Sequence, residues 1–167
     1  MKDVLGDLSL QANFLEDVNR TVTVNIGSGG TVNLDSQIVK NGQAISPITA
    51  TPNAGYEFQS WTGGVNSNSN PLEISSVLSD LTVNANFQVI TYNVIFETSG
   101  NGSLTGSQSQ QITHNLNSTA VTAIPNSGYG FLNWTSGSSV IADNPIIINN
   151  VTSNQTFTAN FVELPHS

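Results

Sequence analysis

The chain has no cysteine among its 167 residues, which removes disulfides, thiolate metal sites and cysteine nucleophiles together. Basic side chains are nearly as scarce: Lys2, Arg20 and Lys40 are all there are, and none occurs after position 40. A nucleic-acid surface needs clustered Lys and Arg to displace condensed counterions, so no nucleic acid is expected as a partner. With a formal net charge of −8, anionic membrane surfaces are disfavoured on the same ground. No apolar run approaches the roughly 18 residues that cross a bilayer, so no membrane insertion is expected. Residues 1–14 lack the basic start and apolar centre of a signal peptide, and an export signal is expected to lie outside this sequence.

What is present is a chain able to fold. Only 8% of residues are charged, with Asn, Ser, Thr and Gly filling the polar positions, while 37% are hydrophobic, an ordinary share for a folded protein. Self-similarity organises it. The run Ala50-Thr51-Pro52-Asn53-Ala54-Gly55-Tyr56-Glu57-Phe58, ending at Trp61, returns as Ala123-Ile124-Pro125-Asn126-Ser127-Gly128-Tyr129-Gly130-Phe131, ending at Trp134. Asn70-Pro71 returns as Asn144-Pro145 after one inserted residue, and the segment Leu81–Phe87 matches both Gln155–Phe161 and Leu8–Phe14. The terminal strand therefore occurs three times and everything else twice. The expected organisation is the strand remnant of a preceding repeat at 1–16, repeat modules at 17–88 and 89–163, and a linker at 164–167. A monomeric piece of a longer array is the reading that follows.

Each repeat reads as short alternating strands between Gly, Pro and Asn turns, with no 3.6-residue periodicity long enough for a substantial helix. Val22, Val24 and Ile26 alternate with polar residues, as do Tyr92, Val94 and Phe96, the pattern of a strand with one buried face. Gly27-Ser28-Gly29-Gly30 is expected to reverse the chain into Thr31–Leu34 as a hairpin. Pro52 to Gly55 reads as a type I turn closed by a left-handed glycine, with Pro125 to Gly128 as its copy. Leu81, Val83, Ala85 and Phe87 share one parity, as do Phe157, Ala159 and Phe161. A small module needs most of its few aromatics inside, so Tyr56, Phe58, Phe87, Tyr129, Phe131 and Phe161 are expected in the core. On that basis Phe87→Ala or Phe161→Ala would cost roughly 3–5 kcal/mol.

These residues resemble the divergent internalin B-repeat family, tandem modules of bacterial secreted and surface proteins. The likeness rests on the alternating first strand, the Gly-rich turn, the motif Ala-x-Pro-x-x-Gly-Tyr-x-Phe-x-x-Trp at Ala50–Trp61 and Ala123–Trp134, and the closing Ala-x-Phe at Ala85–Phe87 and Ala159–Phe161. It covers residues 21–161. The resemblance implies an all-β class: tandem small β-sheet modules, β-grasp-like with the helix reduced or absent, in a linear array. It brings no catalytic residues and no cofactor.

Trp61 and Trp134 are the candidate binding residues, because aromatic faces on β-scaffolds stack on sugar rings. Parity opposes this role. Trp61 lies three positions after Phe58 and falls on the opposite face unless a bulge intervenes, and a bulge that returns each Trp to the core is the simpler account. The acidic residues Glu57, Glu73, Asp80, Glu97 and Asp143 form no calcium loop, and the second repeat replaces Glu57 with Gly130, Glu73 with Ile147 and Asp80 with Asn154; solvated surface charge is the expectation, with no metal site. His114 and His166 have no triad or ligand spacing around them, and His114 is expected in a loop.

Two functional readings follow. The first is a non-catalytic spacer or adhesive stalk of an exported, cell-surface protein, with a cell-surface protein or polysaccharide as partner. The second is a carbohydrate-binding accessory module of a secreted polysaccharide-active enzyme. An enzyme in its own right is not expected, since no nucleophile, base or metal constellation is present in either repeat.

Overall fold

A computed structural model describes residues 18–165. The first repeat contains β1 (Asn19–Ile26), β2 (Gly30–Val32), β3 (Ser36–Lys40), β4 (Ala50–Pro52), β5 (Tyr56–Gly63) and β6 (Leu81–Val89). The second contains β7 (Thr91–Thr98), β8 (Gly102–Thr105), β9 (Ser109–Thr113), β10 (Thr122–Pro125), β11 (Tyr129–Ser136), β12 (Ser139–Ile141) and β13 (Gln155–Glu163). No helix occurs among the described residues, and the chain is a tandem of all-β modules. The strand remnant expected within residues 1–16 lies outside the described residues.

Strand order repeats with the sequence. One sheet runs β3-β1-β6-β5 and the other β12-β11-β13-β7-β9. In each, the first strand of the repeat lies parallel to its last: Val22 is opposite Leu81 and Val24 opposite Val83 in one, Val94 opposite Gln155 and Phe96 opposite Phe157 in the other. The third strand flanks the first antiparallel, β3 on β1 and β9 on β7. β2 and β8 pair instead with β4 and β10 in small two-stranded sheets. The hairpin expected from the Gly-rich turn is therefore corrected: β1 pairs with β3 and not with the segment that follows the turn directly. The first residues of β2 and β8 serve packing instead. A Cβ on Gly30 would stand 2.2 Å from the Phe87 ring, and one on Gly102 would stand 2.3 Å from Phe161, so at each the backbone itself is the surface on which a phenyl ring rests, which only glycine permits.

The Pro-x-x-Gly turn is also one residue displaced from its expected place. The Asn53 carbonyl accepts from the Tyr56 N–H at 3.0 Å, and Asn126 from Tyr129 likewise. Gly55 (φ 80°) and Gly128 (φ 83°) thus occupy the third turn position, where a type II turn requires positive φ and a type I turn does not.

Contact density divides the chain into two compact units. Of the described residues, one comprises those up to Ile26, Val32–Ala50 and Ser60–Ala85; the other comprises Gly27–Thr31, Thr51–Gln59 and those from Asn86 onward. The first unit buries Val22, Val24, Ile48, Trp61, Leu72 and Val83. The second is built around Val94, Phe96, Val121, Trp134, Ile146 and Phe157. Strand alternation accounts for both sets, but the strand ends escape it. Val83 and Ala85 are buried while Leu81 and Phe87 are half-buried, and Ile26 is exposed. A core this small ends before its strands do.

Candidate functional site

Trp61 and Trp134 are both completely buried. In β11 the ladder against β13 slips between Phe131 and Asn133, and this bulge sets Trp134 opposite Ala159 on the inner face. Its indole meets Phe96 edge-on at 5.9 Å and Phe131 at 6.0 Å. Neither tryptophan offers a face on which a sugar ring could stack. The half-buried aromatics Tyr56, Phe58, Phe87, Tyr129, Phe131 and Phe161 surround rather than form the interior. Phe58 meets Phe87 edge-on at 6.1 Å, and Phe131 meets Phe161 the same way at 6.2 Å.

The duplicated polar residues hold backbone. Asn70 accepts from the Ala50 N–H at 2.9 Å and donates to its carbonyl at 2.7 Å. Asn144 does the same to Ala123, with both bonds at 2.8 Å. One amide side chain so imitates a neighbouring strand for a buried alanine whose N–H and C=O would otherwise lack partners. Gln37 clamps Ser46 by its N–H and C=O, and Gln110 clamps Thr119. Sequence reasoning used Asn70 and Asn144 only as repeat markers and passed over Gln37 and Gln110. Their recurrence in register was the available signal.

Asp80 and Glu97 take local structural parts. Asp80 accepts from the Thr21 N–H at 2.9 Å, and Asn154 in the second repeat accepts from the Asn93 N–H at 2.8 Å. The exchange of Asp for Asn keeps the acceptor oxygen and drops the charge, so the oxygen is the element in use. Glu97 accepts from the Thr158 hydroxyl at 3.0 Å. No group of three or more His, Asp or Glu side chains is placed to hold a metal among the described residues. His114 lies in the turn directly after β9, a loop as expected, and donates its backbone N–H to the Ile90 carbonyl; His166 lies outside the described residues.

Shallow surface depressions are further places where a ligand could sit. One of about 430 Å³ is lined by Ser136, Ser139, Ile141, Asn149, Gln155 and Phe157, among others. Its lining has no ionisable side chain, and an amide and hydroxyl rim over apolar walls can hydrogen-bond a neutral ligand. A second depression, about 360 Å³, is lined by Ser67, Ser69, Asn70, Pro71 and the carboxylate residue Glu73 in the first repeat.

A family model for the divergent InlB B-repeat domain matches residues 20–91 and again residues 92–165. No curated protein and no solved structure gives a significant match.

Proposed function

The chain belongs to the divergent InlB B-repeat family of bacterial repeat domains, and on that premise we propose that it acts as a non-catalytic spacer or adhesive stalk in an exported protein at the cell surface. Repeats of this type occur in bacterial surface proteins. The observation that carries the reading is the employment of the duplicated residues. The tryptophans fill the cores, the Asn and Gln amides clamp neighbouring backbone, and the paired Asp80 and Asn154 tie down strand starts. A duplicated catalytic or binding device would leave a shared set of reactive or stacking groups free toward solvent; here the shared tryptophans are buried and the shared amides are engaged with backbone. A surface with few charges also limits electrostatic attraction to unrelated partners.

Glycan arrays and calorimetric titrations with bacterial and plant polysaccharides test this. The expected result is no binding above background. Micromolar binding that is lost in Asn149→Ala or Gln155→Ala would replace the spacer with a carbohydrate-binding module seated at the second repeat's depression.

A further inference from the structure

The second compact unit includes Gly27–Thr31 and Thr51–Gln59, two segments that belong by sequence to the first repeat. Within that unit Ile90, the residue between β6 and β7, is bonded on both sides. Its N–H donates to the Gly55 carbonyl at 2.8 Å, and its own carbonyl accepts from the His114 N–H at 2.9 Å. A Cβ on Gly55 would stand 2.9 Å from the imidazole Cδ2 and 3.3 Å from Cγ, so the His114 ring sits directly on the glycine. Tyr92 backs the imidazole, with ring centroids 5.9 Å apart and its hydroxyl 3.3 Å from Nδ1.

Each half of this arrangement recurs elsewhere without the other. Leu164 donates to the Gly128 carbonyl at 2.8 Å, as Ile90 does to Gly55, but no atom of the described residues lies within 4 Å of a Cβ built on Gly128. Asn41, at the position of His114, donates its N–H to Val18 as His114 does to Ile90, but its side chain is taken by Arg20 Nε at 2.9 Å. The backbone bonds are thus common to both repeats, and the imidazole on glycine is particular to the junction.

We infer that His114 is a repeat-recognition residue: it seats the loop after β9 of one repeat on the Pro-x-x-Gly turn of the repeat before it, so that residues 51–59 open together with the second compact unit. The inference concerns coupling between repeats and does not depend on the display role proposed above.

Native-state hydrogen exchange on the intact chain tests it. His114→Ala should accelerate exchange at the Asn53, Tyr56 and Ile90 amides about ten-fold or more while leaving Ile48 and Trp61 unchanged, since sub-global openings expose contiguous cooperative groups. Tyr92→Phe, which removes only the hydroxyl contact, should give a smaller increase at the same amides. Unchanged exchange at Tyr56 and Ile90 in His114→Ala, or an equal rise at Trp61, overturns the inference. Gly55→Ala and Gly128→Ala supply an independent comparison, because the two glycines share nearly the same φ and differ in what lies above them. Gly55→Ala should unfold at lower denaturant than Gly128→Ala, and the gap should close when both are made with His114→Ala. Equal midpoints with His114 present would also overturn it.

Discussion

The two repeats carry the same tryptophan in two different settings. Trp61 is tied to its loop at three points: its N–H donates to the Ser67 carbonyl at 2.7 Å, its carbonyl accepts from the Ser67 N–H at 3.1 Å, and its indole Nε1 donates to the Ser69 carbonyl at 3.0 Å. Trp134 pairs instead with Ile141 in the added strand β12, and its Nε1 is buried with no hydrogen-bond partner among the described residues. The corresponding loop of the second repeat is one residue longer between Trp and Asn-Pro. That residue makes a regular hairpin out of an irregular loop. The hairpin gains backbone bonds, and the indole goes without one. Duplicated sequence therefore keeps the position of a large side chain more strictly than its polar contacts, because burying the ring stabilises the fold more than one hydrogen bond does.

The bluntest way to break this comparison is to remove the rings. Trp61→Ala and Trp134→Ala should each cost about 3–5 kcal/mol, read by urea titration followed by circular dichroism. Similar losses are expected for the two, since both rings are fully buried. Each variant retains one indole, so fluorescence reports the unit that was left intact.

Next in size are the amide clamps. Asn70→Ala and Asn144→Ala should each destabilise by about 1–3 kcal/mol, the cost of leaving buried backbone groups unsatisfied. Near-equal values are expected because the bond lengths at Ala50 and Ala123 nearly coincide. A finer test separates the two tryptophans by their nitrogens. Trp61→Phe should cost about 1 kcal/mol more than Trp134→Phe, since only Trp61 has a hydrogen bond to lose; equal costs would mean that the bond to Ser69 contributes nothing. Smallest is Asp80→Asn, expected within about 0.5 kcal/mol of the parent protein, because Asn154 already performs that task with a neutral oxygen.

Much of this architecture was legible in the sequence. The recurrence of Gly55–Trp61 as Gly128–Trp134 gave the tandem organisation, and the odd spacing from Phe58 to Trp61 required the bulge that the second repeat displays between Phe131 and Asn133. Strand parity located Val83, Ala85, Phe157 and Ala159 correctly. It overstated Phe87 and Phe161, which are half-buried at the core margin, so their truncation to Ala should cost less than that of either tryptophan. The partner of β2 was not legible. Three residues carry too little alternation to specify a register, and the local turn signal at Gly27–Gly30 suggested the nearer strand. The clamps at Asn70 and Asn144 escaped for a different reason: each joins residues about twenty positions apart through a side chain, and a local pattern does not reach that far.

The parallel pairing of the first and last strands within each repeat has a mechanical consequence. Because β1 and β6 run side by side in the same direction, as do β7 and β13, tension applied at the two ends of a repeat pulls these neighbours lengthwise past each other. The ladder bonds between them are then loaded all at once in shear, instead of parting one after another as a zipper does. Strand order alone sets this mode of loading in both repeats.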